Sequence, residues 1–207
     1  MKDPGNQLRD YLDKLIRRFL YIKSLDRQLK IINEWETPNR VEALNIGSYF
    51  FRLVVYSFNR TILIELCKLV SDKEKKSMVD WLKKAKEHAA SIRPTRHNPD
   101  YSEAEREPIK PEEYRTIIDN QEAQLDAQKI VIDRVKAQRD RALAHSDAAY
   151  FNNPQALYKR YPLSTKDIDG LMDTVSEILR QQDFFLRRGY FLEMEVKSAH
   201  NVDLILR

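Results

Sequence analysis

Glycine and cysteine are both scarce in this chain. Only 4 of the 207 residues are glycine, whereas about 7% is usual, so tight turns are few and a strand-rich fold is not expected. The single cysteine, Cys67, excludes an intramolecular disulfide and is typical of a reducing compartment. It lies in an apolar run, and we expect it to pack in the core rather than to react.

A membrane span, a signal peptide and a metal-ligand cluster are also lacking. Charged residues, among them Arg52, Arg60 and Glu65, interrupt the most apolar window before it reaches the roughly 18 residues of a span. No apolar core follows the first eight residues, as a signal peptide would require. The four histidines are scattered without the paired spacing of metal ligands. We therefore expect a soluble, cytoplasmic protein with no metal and no cofactor.

Charge and helical periodicity are what the chain has in abundance. Charged residues make up 33% of it, and the formal net charge is +4. This small basic excess permits an anionic partner without requiring one. Apolar residues recur at spacings of three and four, which predicts an all-α bundle of four to five long helices. We expect a single domain over residues 1–207, because this length does not demand two.

The predicted helices begin near residues 8, 38, 71, 111 and 164. The second is apolar over most of its circumference between residues 49 and 66, which predicts a place in the middle of the bundle. The proline-rich residues 93–111 and the aromatic, amide-rich residues 146–163 are predicted to be irregular connections. Residues 197–207 are assigned to a C-terminal tail.

The most informative stretch surrounds Arg139. A helical wheel at about 100° per residue places Arg139 in the apolar sector of the fourth helix, although a desolvated guanidinium is costly unless a negative group meets it. Six residues later, His145 supplies an imidazole whose ordinary pKa, about 6.5, lies near neutrality. On an ideal helix the two side chains diverge by roughly 120°. Distortion near the helix end, or a second subunit, would be needed to bring them to one group.

Two interpretations of these residues stay open from spacing alone. In one, Arg139 grips a phosphate, His145 moves a proton, and Arg141 acts as a second cation. In the other, Arg139 pairs with an acid inside the bundle and His145 helps to cap the C-terminus of the helix, where a cation is favoured.

The neighbouring letters favour the first interpretation. Residues 139–147 read Arg-Asp-Arg-Ala-Leu-Ala-His-Ser-Asp and resemble the signature of HEPN proteins, specifically the AbiU-like branch named for abortive phage infection. That signature has arginine, a short spacer that begins with a polar residue, and then histidine. Arg139, Asp140 and His145 occupy those places, Arg141 stands where lysine is frequent, and Asp147 matches a trailing acid. Residues 50–72 also resemble the central apolar helix of that branch.

This resemblance implies a HEPN-like bundle that dimerises so that two motifs face one cleft. It also implies a metal-independent endoribonuclease, used in antiphage defence or a toxin–antitoxin system, in which a ribose 2′-hydroxyl attacks the adjacent phosphate. His145 would transfer the proton and Arg139 would hold the phosphate, with Asp140, Arg141 and Asp147 in support. A nucleotidyltransferase-type antitoxin is an implied partner. The alternative is a non-catalytic module that binds RNA or a partner protein.

Aromatic residues interleave with cations and amides just past the motif. Single-stranded RNA is commonly held by aromatic stacking beside cations, so we expect RNA contacts from Tyr150, Tyr158, Lys159 and Arg160. The same aromatic residues could instead pin a long connection onto the bundle.

Overall fold

Helices dominate the computed structural model, which describes residues 3–33, 47–97, 106–144 and 154–187. Only the backbone is described for residues 97, 142–144, 154 and 187. The described helices are α1 (Pro4–Asn33), α2 (Ser48–Val70), α3 (Met78–Glu87), α4 (Ala89–Ile92), α5 (Pro111–Ala127), α6 (Lys129–Gln138), α7 (Pro154–Arg160) and α8 (Thr165–Arg187). A π-helical turn, Arg139–Ala144, follows α6 directly, and two antiparallel strands, β1 (Thr95–His97) and β2 (Arg106–Pro108), form a short ribbon. The all-α prediction is confirmed.

The long helix α1 carries the scaffold of the bundle. Its apolar residues at spacings of three and four face inward, and Leu12, Phe19 and Ile22 are fully buried, as the periodicity predicts. They pack against α2, α3, α4 and α8. The indole nitrogen of Trp81 on α3 donates to the backbone oxygen of Leu8 at 2.9 Å. Burying each large apolar side chain contributes about 1.5–3 kcal/mol, so this stripe holds the other helices in place.

The prediction that α2 lies in the middle of the bundle is confirmed for its second half and wrong for its first half. Only the half after residue 60 contributes buried residues to the core, where α1, α6 and the π-helical turn cover it. Within the described residues, nothing covers the first half comparably. Its exposed side chains are Tyr49 at 71%, Phe50 at 63%, Leu53 at 46% and Tyr56 at 57%.

Element boundaries also differ from the predicted ones. Residues 71–77 form turns, and α3 begins at Met78, where the Ser77 side chain accepts from the Asp80 amide at 3.2 Å. The predicted fourth helix is divided at Gln128 and ends in the π-helical turn. The segment 93–111 is not wholly irregular, because it contains the β ribbon. Within 146–163, residues 154–160 form α7, in which Leu157 is buried.

The predicted helix starts at residues 111 and 164 are confirmed. Pro111 occupies the first turn of α5 together with two acids, as the free amides and the dipole of a helix start favour. At the start of α8, the Ser164 amide donates to Asp167 Oδ2 at 2.7 Å, and the Asp167 amide donates to Ser164 Oγ at 3.1 Å. The proposed tail, residues 197–207, lies outside the described residues.

A buried chain of hydrogen bonds joins α5 to α8. The Tyr114 hydroxyl donates to Gln182 Oε1 at 2.6 Å, and Gln182 Nε2 donates to Gln121 Oε1 at 2.7 Å. Gln121 Nε2 in turn donates to Gln181 Oε1 at 2.9 Å. Buried polar groups are costly unless they are paired, so this chain specifies the alignment of the two helices.

Candidate functional site

Arg139 lies where α6 changes into the π-helical turn. In a π-helix the backbone hydrogen bonds join residues five apart, and such turns are rare and frequently found at functional sites. The ideal helical wheel therefore does not apply across residues 139–144. One of the two conditions named for bringing Arg139 and His145 together, a distorted helix end, is thus present. His145 lies outside the described residues, so its approach to Arg139 remains a prediction.

Two carboxylates hold the Arg139 side chain, which is 17% exposed. Its Nη1 lies 3.0 Å from Glu74 Oε1, and its Nε lies 2.7 Å from Asp140 Oδ1. Burial opposes the charge, but hydrogen bonds with Asp140 and Glu74 outweigh it and raise the pKa of the guanidinium. Arg139 is therefore a charged group in a largely apolar position, neutralised within its own chain.

This contact corresponds in part to the ion-pair interpretation of Arg139. The acid is not inside the bundle, however, because Glu74 belongs to the turns of residues 71–77 and its side chain is 42% exposed. Next to it, Asp72 Oδ1 lies 2.6 Å from Lys136 Nζ. This hydrogen bond and the charge of Lys136 lower the pKa of Asp72. The segment 71–77 thus places two solvent-accessible carboxylates on two cations of the motif region.

Cys67 lies in the core beneath this region, as predicted. The residue is fully buried, and burial raises the pKa of its thiol to about 11, an effect that the charge of Arg139 partly offsets. A thiol with so high a pKa stays protonated at neutral pH, and the thiolate is the reactive form. Cys67 therefore serves packing.

Arg141 and Arg160 converge on one aromatic ring. Their guanidinium carbons lie 5.2 and 5.7 Å from the ring centroid of Tyr161, within the range of cation–π attraction. The buried Gln138 donates through Nε2 to the backbone oxygen of Tyr161 at 2.7 Å. The structure thus joins the end of the motif helix to the segment that the sequence predicted for RNA contact.

The burial of the α7 side chains bears on whether this segment contacts RNA or is pinned to the bundle. Leu157 is buried, whereas Tyr158 is 48% exposed and Lys159 and Arg160 are exposed. Within the described part of the segment, a leucine therefore pins the chain to the bundle, and the predicted RNA-contacting side chains face outward. Tyr150 and the supporting acid Asp147 lie outside the described residues.

A groove of about 450 Å³ lies between the end of α1, the middle of α2, α7 and the start of α8. Tyr158 and Gln138 line it, together with three α2 residues that were not predicted as site residues, Tyr56, Asn59 and Arg60. The sequence carries no separate signal for them, because the apolar character of α2 suggested a core position. The volume lies within the range of about 300–1,000 Å³ typical of small-molecule sites.

Over the described parts of the chain, no group of three or more His, Cys, Asp or Glu residues could hold a metal ion. Within the same parts, every helix is too short or too polar to cross a bilayer.

The family model HEPN_AbiU2, described as AbiU2, matches residues 6–181. A helical bundle with this motif is a HEPN-like module, and the chain belongs to the HEPN_AbiU2 family. The match spans the π-helical turn, the Glu74 segment and α7, and it confirms the resemblance seen in residues 139–147. Among curated proteins and solved structures, none matches the chain significantly.

Proposed function

We propose that this protein is a metal-independent endoribonuclease of the HEPN type that acts in antiphage defence or in a toxin–antitoxin system. The observation that carries the proposal is Arg139, a charged and mostly buried guanidinium at the motif position and at the start of a π-helical turn. Arg141 and Arg160, which meet at Tyr161, add positive charge on the side of the motif where RNA contacts are expected.

The proposed reaction is an intramolecular transesterification of RNA. The ribose 2′-oxygen forms a bond to the adjacent phosphorus, the bond from phosphorus to the 5′-oxygen breaks, and a cyclic phosphate end remains. His145 takes the proton from the 2′-hydroxyl or delivers one to the 5′-oxygen, and the second copy in a homodimer supplies the complementary step. Arg139 stabilises the charge that develops on the phosphoryl oxygens.

Phosphate must compete with carboxylates for Arg139 in this scheme. A bidentate grip needs two guanidinium nitrogens, and one of them contacts Glu74 in the chain alone. Because Glu74 is partly exposed and lies on turns, we expect it to give way when RNA binds. Asp140, bonded to Nε, stays to orient the guanidinium, and Asp147 supports the imidazole.

The second candidate is a non-catalytic module that binds RNA or a partner protein, such as a nucleotidyltransferase-type antitoxin. The observation in its favour is the neutralisation of Arg139 by Glu74 and Asp140. An arginine held in this way stabilises the bundle without any chemistry.

Cleavage of total RNA in the presence of EDTA tests the proposal. We expect the wild-type protein to cut RNA and to leave cyclic phosphate ends. His145→Ala should lose about 10²–10⁴-fold in rate, the usual contribution of general acid–base catalysis, and Arg139→Ala should also be impaired. Arg96→Ala is a matched control, because Arg96 is also partly buried and lies 2.6 Å from Glu113, but it belongs to the β ribbon.

Equal cleavage by the wild type and both motif variants would contradict the proposal. RNA binding without cleavage, weakening steeply as salt increases, would support the non-catalytic module instead.

A further inference from the structure

We propose that the groove between α2 and α7 holds one unstacked base of a single-stranded RNA. This inference rests on the proposed function, since it assumes that RNA is the substrate. It adds a base-binding subsite, with residues from α2, to a motif that contacts only the sugar–phosphate backbone.

The walls of the groove suit a planar, uncharged ring. Tyr56 from α2 and Tyr158 from α7 both line it and are each about half exposed, at 57% and 48%. Every base has a face that stacks on an aromatic side chain. Buried apolar residues, Leu29 and Ile62, lie among the lining residues, and they would be costly to place against a phosphate.

The groove contains two cations, Lys30 and Arg60, together with an acid, Asp26, and amides that suit the edge of a base. Lys30 is engaged by two acids, Asp26 at 2.8 Å and Asp169 at 2.9 Å, and the hydrogen bonds with these acids raise its pKa. Amide side chains of Asn59 and Gln138 also line the groove. Each of their nitrogens donates one hydrogen to a backbone oxygen, that of Val55 and that of Tyr161 respectively. The second amide hydrogen and the amide oxygen are left to bond the edge of a base.

The groove adjoins the arginine cluster of the motif along the chain. Gln138 precedes Arg139 and bonds the backbone of Tyr161, and the next residue, Pro162, lines the groove. Tyr161 is the ring on which Arg141 and Arg160 meet. We therefore expect the phosphates that flank a base in the groove to contact these guanidinium groups.

The test is RNA binding by proteins that carry His145→Ala, so that the probe is not consumed. The probe is a fluorescently labelled single-stranded RNA of mixed sequence, followed by anisotropy. We expect Tyr56→Ala and Tyr158→Ala to bind about 5- to 150-fold more weakly, the usual effect of losing one stacking contact. Tyr21→Ala is the matched control, because Tyr21 is 50% exposed on α1 and does not line the groove.

Two further measurements keep the result specific to stacking. Tyr56→Phe and Tyr158→Phe retain a ring and should bind as the wild-type groove does. An RNA without bases should bind the wild-type groove more weakly than the normal RNA does. For this abasic RNA, Tyr158→Ala should cause no further loss of affinity. If the alanine variants bind the normal RNA as tightly as Tyr21→Ala, the inference is overturned.

The outcomes separate this inference from the proposed function. RNA cleavage that depends on His145 but is unaffected in rate and position by the tyrosine variants overturns the groove and leaves the ribonuclease standing. Tyrosine-dependent binding by a wild-type protein that does not cleave RNA supports the groove and overturns the ribonuclease. A wild-type protein that neither binds nor cleaves RNA overturns both.

Discussion

Glu74→Gln should strengthen RNA binding. The substitution keeps the shape of the side chain and removes its charge, so Arg139 Nη1 no longer has a carboxylate at 3.0 Å. Phosphate oxygens then meet less competition for the same nitrogen. This gain is expected only if Arg139 holds the RNA backbone.

The magnitude follows from the exposure of the two partners. Ion pairs at a surface contribute about 0.2–1 kcal/mol, and the upper end applies here because the Arg139 side chain is 17% exposed. A difference of about 1 kcal/mol corresponds to a roughly fivefold lower Kd. Losing about 1 kcal/mol of ion-pair energy should lower the melting temperature by only about 2–4 °C in a domain of this size.

The assay is the dissociation constant of a labelled single-stranded RNA, measured on the His145→Ala background at low and at physiological salt. Asp72→Asn is the matched control, because it removes one negative charge from the same turns but contacts Lys136 rather than Arg139. Both variants should gain RNA affinity because one negative charge that repels the phosphates is removed, and salt screens this general effect. The additional gain of Glu74→Gln measures direct competition for Arg139.

RNA binding by Glu74→Gln that is no tighter than that by Asp72→Asn would refute direct competition between Glu74 and phosphate for Arg139. Weaker binding than the unsubstituted protein would instead mean that Glu74 positions the guanidinium for RNA.

Three further predictions concern stability and reactivity. Tyr114→Phe leaves the oxygen of buried Gln182 without its donor and should lower the free energy of unfolding in urea by about 1–3 kcal/mol; an unchanged value would contradict the inferred role of the hydrogen-bond chain. Cys67, with a thiol pKa of about 11, should react with a disulfide reagent at about pH 8 only after unfolding, and rapid labelling of the folded protein would contradict its burial. Hydrogen bonds from Ser164 lower the pKa of Asp167 below its ordinary 3.8, so its contribution to stability is present above that value and is lost as the pH falls through the folded pKa. Asp167→Asn should therefore melt below the wild type at neutral pH, and the gap should close as the pH falls through the folded pKa of Asp167; a gap that stays constant through acid titration would refute this.

The accuracy of the sequence predictions follows the range of the interactions behind them. The buried stripe of α1 and the start of α8 were predicted correctly because periodicity and capping act between residues one turn apart. The prediction for α2 failed in its first half, because an apolar surface shows what could be buried but not which neighbour covers it. The interruption of the fourth helix at Gln128 carried no glycine or proline signal.

The candidate site shows the same division. Arg139 was placed on the apolar side of its helix from spacing alone, and the π-helical turn begins at that residue. Its partner Glu74 is 65 residues away in the chain, and no spacing rule connects the two. Tyr158 was singled out because its segment is rich in aromatic and basic residues, whereas Tyr56 became part of the groove only because α2 and α7 border the same groove.

The sequence by itself determined the helical class, the stripes that build the core and the motif that marks the family, since each depends on residues close together in the chain. Only the tertiary structure decided which acid neutralises Arg139, that Arg141 and Arg160 share the ring of Tyr161, and that a groove opens beside them. Those features depend on where distant segments meet, and that is set by the sum of many weak contacts rather than by any local pattern.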